Sequence, residues 1–334
     1  MGIGDRRDAE CHVVAVLVDE DGDMPAGLDA LGEVADVRLA RGAAGLVEAV
    51  RDADVCCVWD VRRRWLAEAW PAVRRLRWVH AASAGVDAVL FPELVDSDVV
   101  VTNTRGVLDA AIAEWVLGAI LMFVKDLHGT LCLQDRREWR HRDTERLAGR
   151  RVVVVGAGSI GQAVARLCRA AGMHVEGVAQ VPRHGDDVFE RVVGPGSLRQ
   201  ALSGADFAVV CVPHTAKTHR MIGAAELAAL PPGARLVNVA RGAVVDEGAL
   251  LDALQSGRLA GAALDVFVRE PLPADHPFWG MDQVVVSPHM AGDFAGWEEA
   301  FSAVFLDNFR RWQRGDPLSN IVDKAAAMAP VRDG

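Results

Sequence analysis

The sequence predicts an α/β chain of two domains, each built around a parallel sheet. Short β-branched runs alternate with amphipathic helical stretches over almost the whole length, the pattern left by parallel strands joined through crossover helices. At 334 residues the chain is long for one compact core and comfortable for two. Its composition, 51% hydrophobic and 25% charged, is that of a folded protein.

The strands fall into two sets. The first is His12–Val18, Val34–Ala40, Val55–Trp59, Arg77–Ala82 and Val99–Asn103. The second is RVVVVG from Arg151, MHVEGV from Met173, then Asp206–Pro213, Ala234–Ala240, Ala260–Phe267 and Gln283–Pro288. Between the sets, Asp109–Asp135 is mostly apolar, with glycine only at Gly118 and Gly129 and no proline. It reads as one long helix joining the domains. A last helical pattern covers Trp297–Arg314, before a polar tail.

Several function classes drop out on composition. A net charge of −10 argues against a broad nucleic-acid surface. The basic residues are nearly all arginine, with lysine only at Lys125, Lys217 and Lys324, which looks like a genomic bias. Cys56 and Cys57 are adjacent, and Cys132, Cys168 and Cys211 lie in apolar segments, where cysteine acts as a small hydrophobe. No pair has CxxC spacing, so neither a disulfide framework nor a metal site is expected. The opening MGIGDRRDAE has no apolar signal core, and Arg6 breaks the myristoylation pattern. No apolar run reaches the roughly 18 residues of a membrane span. The expectation is a reduced, soluble, cytoplasmic protein that binds neither membrane nor nucleic acid.

The most informative stretch is RVVVVGAGSIG, Arg151–Gly161. Gly156 permits a tight turn after the strand, Gly158 lets backbone approach a pyrophosphate, and Gly161 allows close packing of helix on strand. A lone GxGxxG is weak, but here it follows a strand and opens a helix, the context that supports a dinucleotide site. The alternative is a tight βα corner and nothing more. The carboxylate expected about 20 residues on, to bond a ribose 2′-hydroxyl, is missing: Ala179 and Gln180 stand there. Without that charge a 2′-phosphate is not repelled, and Arg183 and His184 follow. NADP is therefore slightly favoured over NAD, unless Arg183 is only a solvated loop charge.

Ligands of open parallel sheets sit outside the carboxyl ends of the strands. Arg241 follows one strand of the second set, Glu270 the next, and His289 the last. Hydride transfer to a 2-oxo acid leaves an oxyanion to be protonated, and histidine suits that task. A carboxylate stabilises the imidazolium and orients the ring. Arginine offers a planar fork for a carboxylate or carbonyl oxygen. Taken singly, each has a bland reading as a surface charge, a loop acid or a turn histidine; together they form a candidate catalytic set. Asp265, an acid in an apolar strand, needs a partner, either the nicotinamide ribose or carboxamide, or a neighbouring loop. In the first domain, Ser83, Ala84 and Gly85 offer backbone N–H groups to a small carboxylate, or simply a tight turn. His80 and Trp59–Asp60 end neighbouring strands and are candidates to line the same site.

SAGVD, TNTRGVLDAAIAEWVLG, VVVVGAGSIG, VNVARGAVVDEGAL, GAALDVFVREPLP and SPHMAG together resemble the D-isomer-specific 2-hydroxyacid dehydrogenase family, over about Val13–Val322. The resemblance implies two Rossmann-like or flavodoxin-like domains. The dinucleotide-binding Rossmann domain, 106–291, is inserted into a substrate-binding domain formed by 1–105 and 292–334. It also implies an NAD(P)-dependent oxidoreductase acting on a small 2-oxo or D-2-hydroxy acid, glyoxylate or hydroxypyruvate among them. Arg241 would bind substrate, Glu270 would partner His289, and His289 would be the acid/base. Ser83–Gly85, Arg241 and His289 would contact the substrate. The cofactor contacts would be Gly156, Gly158, Ser159, Ile160, Gly161, Arg183, Val212, Pro213, Thr218, Ala240, Arg241, Asp265 and His289. The Asp109–Lys125 helix resembles the family's dimerisation element. One departure stands out: GVAQVPRHG carries neither the acid of NAD enzymes nor an arginine directly after the strand. The rival readings are a dinucleotide-sensing co-repressor of the same superfamily, which could dispense with the acid/base pair, and oxidation of formate or phosphite.

Overall fold

A computed structural model describes residues 12–61 and 64–328. The amino-terminal stretch with Arg6 lies outside the described residues. The chain divides into two compact units, Met1–Val107 with Ala295–Ala329, and a second centred on Leu108–Phe294.

The first unit is a five-stranded sheet: β1 (Val13–Val18), β2 (Asp36–Arg41), β3 (Val55–Val58), β4 (Trp78–Ala81) and β5 (Val100–Asn103). The order is β2-β1-β3-β4-β5, all parallel, which is the flavodoxin-like doubly wound arrangement. The unbroken apolar run of β1 follows from burial on both faces. Ala15 and Leu17 enter one core and Val14, Val16 and Val18 the other. The helix Trp297–Arg314 covers the second face, burying Phe301, Phe305 and Phe309 at four-residue spacing, with Phe305 stacked 5.3 Å from Trp78. The chain then closes on Lys324, whose ammonium donates to the carbonyls of Leu94, Ser97 and Val99 at 2.9, 2.5 and 3.0 Å.

The second unit has eight strands: β6 (Arg151–Val155), β7 (His174–Val178), β8 (Arg183–His184), β9 (Arg191–Val193), β10 (Phe207–Val210), β11 (Arg235–Asn238), β12 (Gly261–Leu264) and β13 (Val284–Val286). Their order is β13-β12-β11-β10-β6-β7-β9-β8. Apart from the antiparallel β8–β9 pair, this is the Rossmann order, reversing direction between β6 and β10. β6 is again buried on both sides, Val153 and Val155 in one core, Val152 and Val154 in the other. The fold class is as the sequence predicts.

Two expectations need correction. Asp109–Asp135 is not one helix but two, Asp109–Val124 and Leu127–Asp135, bent by 64°. Asp126 takes a left-handed conformation, φ 44°, and its carboxylate caps the second helix through the Gly129 N–H at 3.1 Å. An aspartate tolerates that backbone and competes for it with its own side chain. The first of these helices joins no domains; its Ile112, Val116 and Ile120 belong to the core of the second unit. The second correction is the β8–β9 hairpin, which two charged residues gave no pattern to announce. Among the described residues, no single helix is long and apolar enough to cross a membrane.

Candidate active site

The glycine turn carries the geometry that a dinucleotide needs. Gly156 adopts φ 115°, and a Cβ there would meet the backbone of Cys211 at 2.9 Å. A Cβ on Gly161 would run into the Gly156 carbonyl oxygen, so the helix Ser159–Ala170 can start this close to β6 only with glycine. Gly158 faces open space, with nothing within 4 Å. It caps the helix without a side-chain bond, and so leaves first-turn N–H groups for an anion. Ser159 Oγ reaches Asp109 Oδ1 at 3.4 Å. Cys211 donates its thiol to the Gly156 carbonyl at 3.2 Å, and burial first, then the Asp109 charge, pushes its pKa up to about 12. That thiol is therefore inert packing. The residues present fit the pyrophosphate of a nicotinamide dinucleotide.

The loop after β10 is a tight turn. Thr218 Oγ1 donates to the Pro213 carbonyl at 2.6 Å and accepts from the Thr215 N–H at 2.8 Å. Val212 begins the loop beside Gly156. At the end of β7, Ala179 donates its N–H to Val193 at 3.0 Å, and Gln180 and Val181 are exposed. Arg183 is not brought to that strand end as a free charge. It stands on β8, with β9 between it and β7. Its Nε donates to Asp186 at 3.3 Å and its guanidinium lies 5.5 Å from the centre of the Phe189 ring. The N–H groups of Phe189 and Val188, with Arg183 itself, hold the Asp186 carboxyl below its usual range. Arg183 is thus a paired cation at neutral pH.

Arg241, Glu270 and His289 follow three adjacent strands, β11, β12 and β13. His289 Nδ1 is 2.7 Å from Glu270 Oε2, and Glu270 Oε1 accepts the Phe267 N–H at 2.9 Å. Burial alone would raise the Glu270 carboxyl. The His289 hydrogen bond, the Phe267 N–H and the charges of His289 and Arg241 outweigh it, and its pKa is lowered. A carboxyl so lowered stays ionised as pH falls, until that lowered pKa is passed. Gly242 is what lets the Arg241 and Glu270 loops meet, since a Cβ there would overlap the backbone of Phe267 and Val268. With Nδ1 engaged, His289 Nε2 is the ring nitrogen left to face a substrate, and the side chain is 44% exposed.

Asp265, 3% exposed, is held by its own neighbourhood. Its carboxylate accepts from Ser287 Oγ at 2.6 Å, Met290 N–H at 2.9 Å and Ala291 N–H at 3.0 Å, and its carbonyl accepts the His289 N–H at 2.8 Å. These contacts hold the loop on which His289 stands, with φ 56° at His289. Asn238 does the same for Arg241: its Oδ1 accepts the Ala240 N–H at 3.1 Å and its Nδ2 donates to the Arg241 carbonyl at 3.3 Å. Asn238 was legible only as a polar residue ending an apolar strand.

In the first unit, all three carbonyls of Ser83–Gly85 are taken. Thr104 N–H binds the first at 3.0 Å, Asn103 Nδ2 the second at 2.7 Å and Ser83 Oγ the third. The N–H groups of Ala84 and Gly85 have no partner among the described residues, as an anion nest requires. His80 does not line a site. It lies within β4, fully buried, its Nδ1 at 2.8 Å from Thr102 Oγ1, and burial lowers its pKa to about 3. Trp59 stacks on Trp297 at 6.0 Å.

A Rossmann sheet with such a turn at its switch point defines a class, that of dinucleotide-binding proteins. The family described as "D-isomer specific 2-hydroxyacid dehydrogenase, NAD binding domain" matches residues 117–291, and the chain belongs to the D-isomer specific 2-hydroxyacid dehydrogenases. Among its relatives, glyoxylate/hydroxypyruvate reductase A of Serratia proteamaculans is 34% identical, over 72% of this chain and 77% of that protein. D-3-phosphoglycerate dehydrogenase of Methanocaldococcus jannaschii is 30% identical over 88% of this chain, which spans only 56% of that longer protein. A solved D-isomer specific 2-hydroxyacid dehydrogenase from Xanthobacter autotrophicus Py2, in complex with NADPH and MES, is 32% identical with a TM-score of 0.80. The likeness covers 95% of this chain and 100% of that one.

Proposed function

We propose that the protein reduces a small 2-oxo acid of the glyoxylate or hydroxypyruvate kind to the D-2-hydroxy acid. The observation that carries this is the 2.7 Å contact of His289 Nδ1 with Glu270 Oε2 beside Arg241. When bound, the nicotinamide supplies the hydride. Arg241 holds the substrate through its planar fork, and His289 delivers a proton from Nε2 to the carbonyl oxygen. Glu270 keeps the ring oriented and favours its protonated form. Asp265 and Asn238 fix the two loops on which His289 and Arg241 stand. The N–H groups of Ala84 and Gly85 suit the substrate carboxylate. A panel of 2-oxo acids with NADH and NADPH, followed by loss of nicotinamide absorbance, tests the reading. Turnover of glyoxylate or hydroxypyruvate is the expected result, and no turnover of any 2-oxo acid would sink it.

The cofactor proposed is NADPH at least as readily as NADH, because nothing acidic stands at Ala179 or Gln180 to repel a 2′-phosphate. We also place the enzyme in the cytoplasm, as a homodimer through the Asp109–Lys125 region. Just beyond that region Leu127, Leu131 and Trp139 are 45%, 56% and 102% exposed, and the mass in solution checks the assembly.

The pair has a pH signature. Reduction needs a protonated His289, and the ionised Glu270 favours that form. Glu270→Gln removes the charge, so the pH at which the reduction rate has fallen by half moves down. The rate profile of the variant, at saturating cofactor, is the measurement. A profile that stays in place, with activity lost only through unfolding, would make Glu270 a structural residue.

A further inference from the structure

The chain has 36 basic residues, and only Lys125, Lys217 and Lys324 are lysines. Two of these have a structural reason to be lysine. Lys324 places its ammonium against three backbone carbonyls, and Lys125 donates to the Glu145 carbonyl at 2.7 Å. A compact ammonium suits such convergent acceptors better than a planar fork. Lys217 has no such reason. It is exposed, and among the described residues it makes no hydrogen bond or ion pair.

Its position is nonetheless built. The residues around it form a closed turn, in which the N–H groups of Thr218 and His219 both donate to Thr215, at 3.0 and 2.9 Å. The turn is tied back to Pro213 through Thr218 Oγ1 at 2.6 Å. It follows β10, the strand hydrogen-bonded to β6, and its root at Cys211 and Val212 lies against Gly156. Between Cys211 and Gly223 there is no carboxylate to neutralise it. An unpaired ammonium on a rigid turn rooted at a phosphate-binding glycine corner has one obvious counterpart, an anion held at that corner. Arg183, the cation the sequence offers after β7, is already paired with Asp186.

We propose that Lys217 is a phosphate ligand of the bound dinucleotide, taking either its pyrophosphate or the 2′-phosphate of its adenosine. The proposal rests on the dinucleotide reading of the second unit and not on the choice of substrate. Because Lys217 is exposed and makes no hydrogen bond or ion pair among the described residues, Lys217→Met is expected to fold with an unchanged thermal midpoint.

Direct titration of the purified full chain with 5′-ADP, 2′,5′-ADP, NADH and NADPH, by calorimetry, reads the effect without turnover. Lys217→Met should weaken binding by about tenfold, roughly 1.4 kcal/mol. Lys217→Arg should recover most of it, and Arg183→Ala should change it less. Loss of affinity for 5′-ADP, NADH and NADPH alike assigns the ammonium to the pyrophosphate; loss for 2′,5′-ADP and NADPH alone assigns it to the 2′-phosphate. Unchanged affinity for all four ligands in Lys217→Met would overturn the proposal. A wild-type protein that binds none of them would overturn it together with the dinucleotide reading.

Discussion

His289→Gln should lower kcat for the reduction of glyoxylate or hydroxypyruvate by about 10²–10⁴, the usual contribution of a positioned acid/base group. Glutamine keeps a polar side chain of similar reach but cannot deliver a proton from the position of Nε2. The backbone should stay in place, because the His289 N–H is held by the Asp265 carbonyl at 2.8 Å and the flanking residues by the Asp265 carboxylate. Dinucleotide binding should therefore be nearly unchanged, since the glycine turn follows a different strand. The measurement is steady-state kcat together with a direct cofactor titration. Turnover near that of the wild type would show that the proton comes from elsewhere.

The second large effect is expected at Arg241. Arg241→Gln removes the charge and the paired donors offered to the substrate. Charge-assisted hydrogen bonds contribute about 1.5–3 kcal/mol each, so losing two should lower kcat/KM by roughly 10²–10⁴. Arg241→Lys keeps the charge without the fork and should fall between the two. The loop itself should hold, because Asn238 binds the main chain at Ala240 and Arg241, not the guanidinium. The thermal midpoint serves as the control. If both variants keep the wild-type kcat/KM, Arg241 is the ordinary surface charge that it could be on sequence alone.

The central strands were legible because they are buried on both faces. A parallel strand between two helical layers is apolar at every position, so VVAVLV and RVVVV announce themselves without alternation. The candidate catalytic set was legible because open α/β sheets place ligands at strand ends, and Arg241, Glu270 and His289 are the polar residues found there. Gly156 and Gly161 were legible because the collisions that exclude a Cβ arise within one strand–turn–helix unit.

What the sequence alone determined was therefore local chemistry and the order of elements along the chain. The tertiary structure decided which polar groups are already satisfied. His80 looked like a strand end and is a buried, neutral imidazole on Thr102. Asp265 met a loop 22 to 26 residues further along the chain, and Asp126 broke a helix by capping the next one. Arg183 was spoken for by Asp186 across a hairpin that its two-residue strand could not signal. Among the described residues, Lys217 was left without a hydrogen-bond or ion-pair partner, and the N–H groups of Ala84 and Gly85 were left open while their carbonyls were closed. Each of these is a hydrogen-bond account, settled by a partner's position and not by its residue type. Periodicity and propensity carry no information about where such a partner will stand.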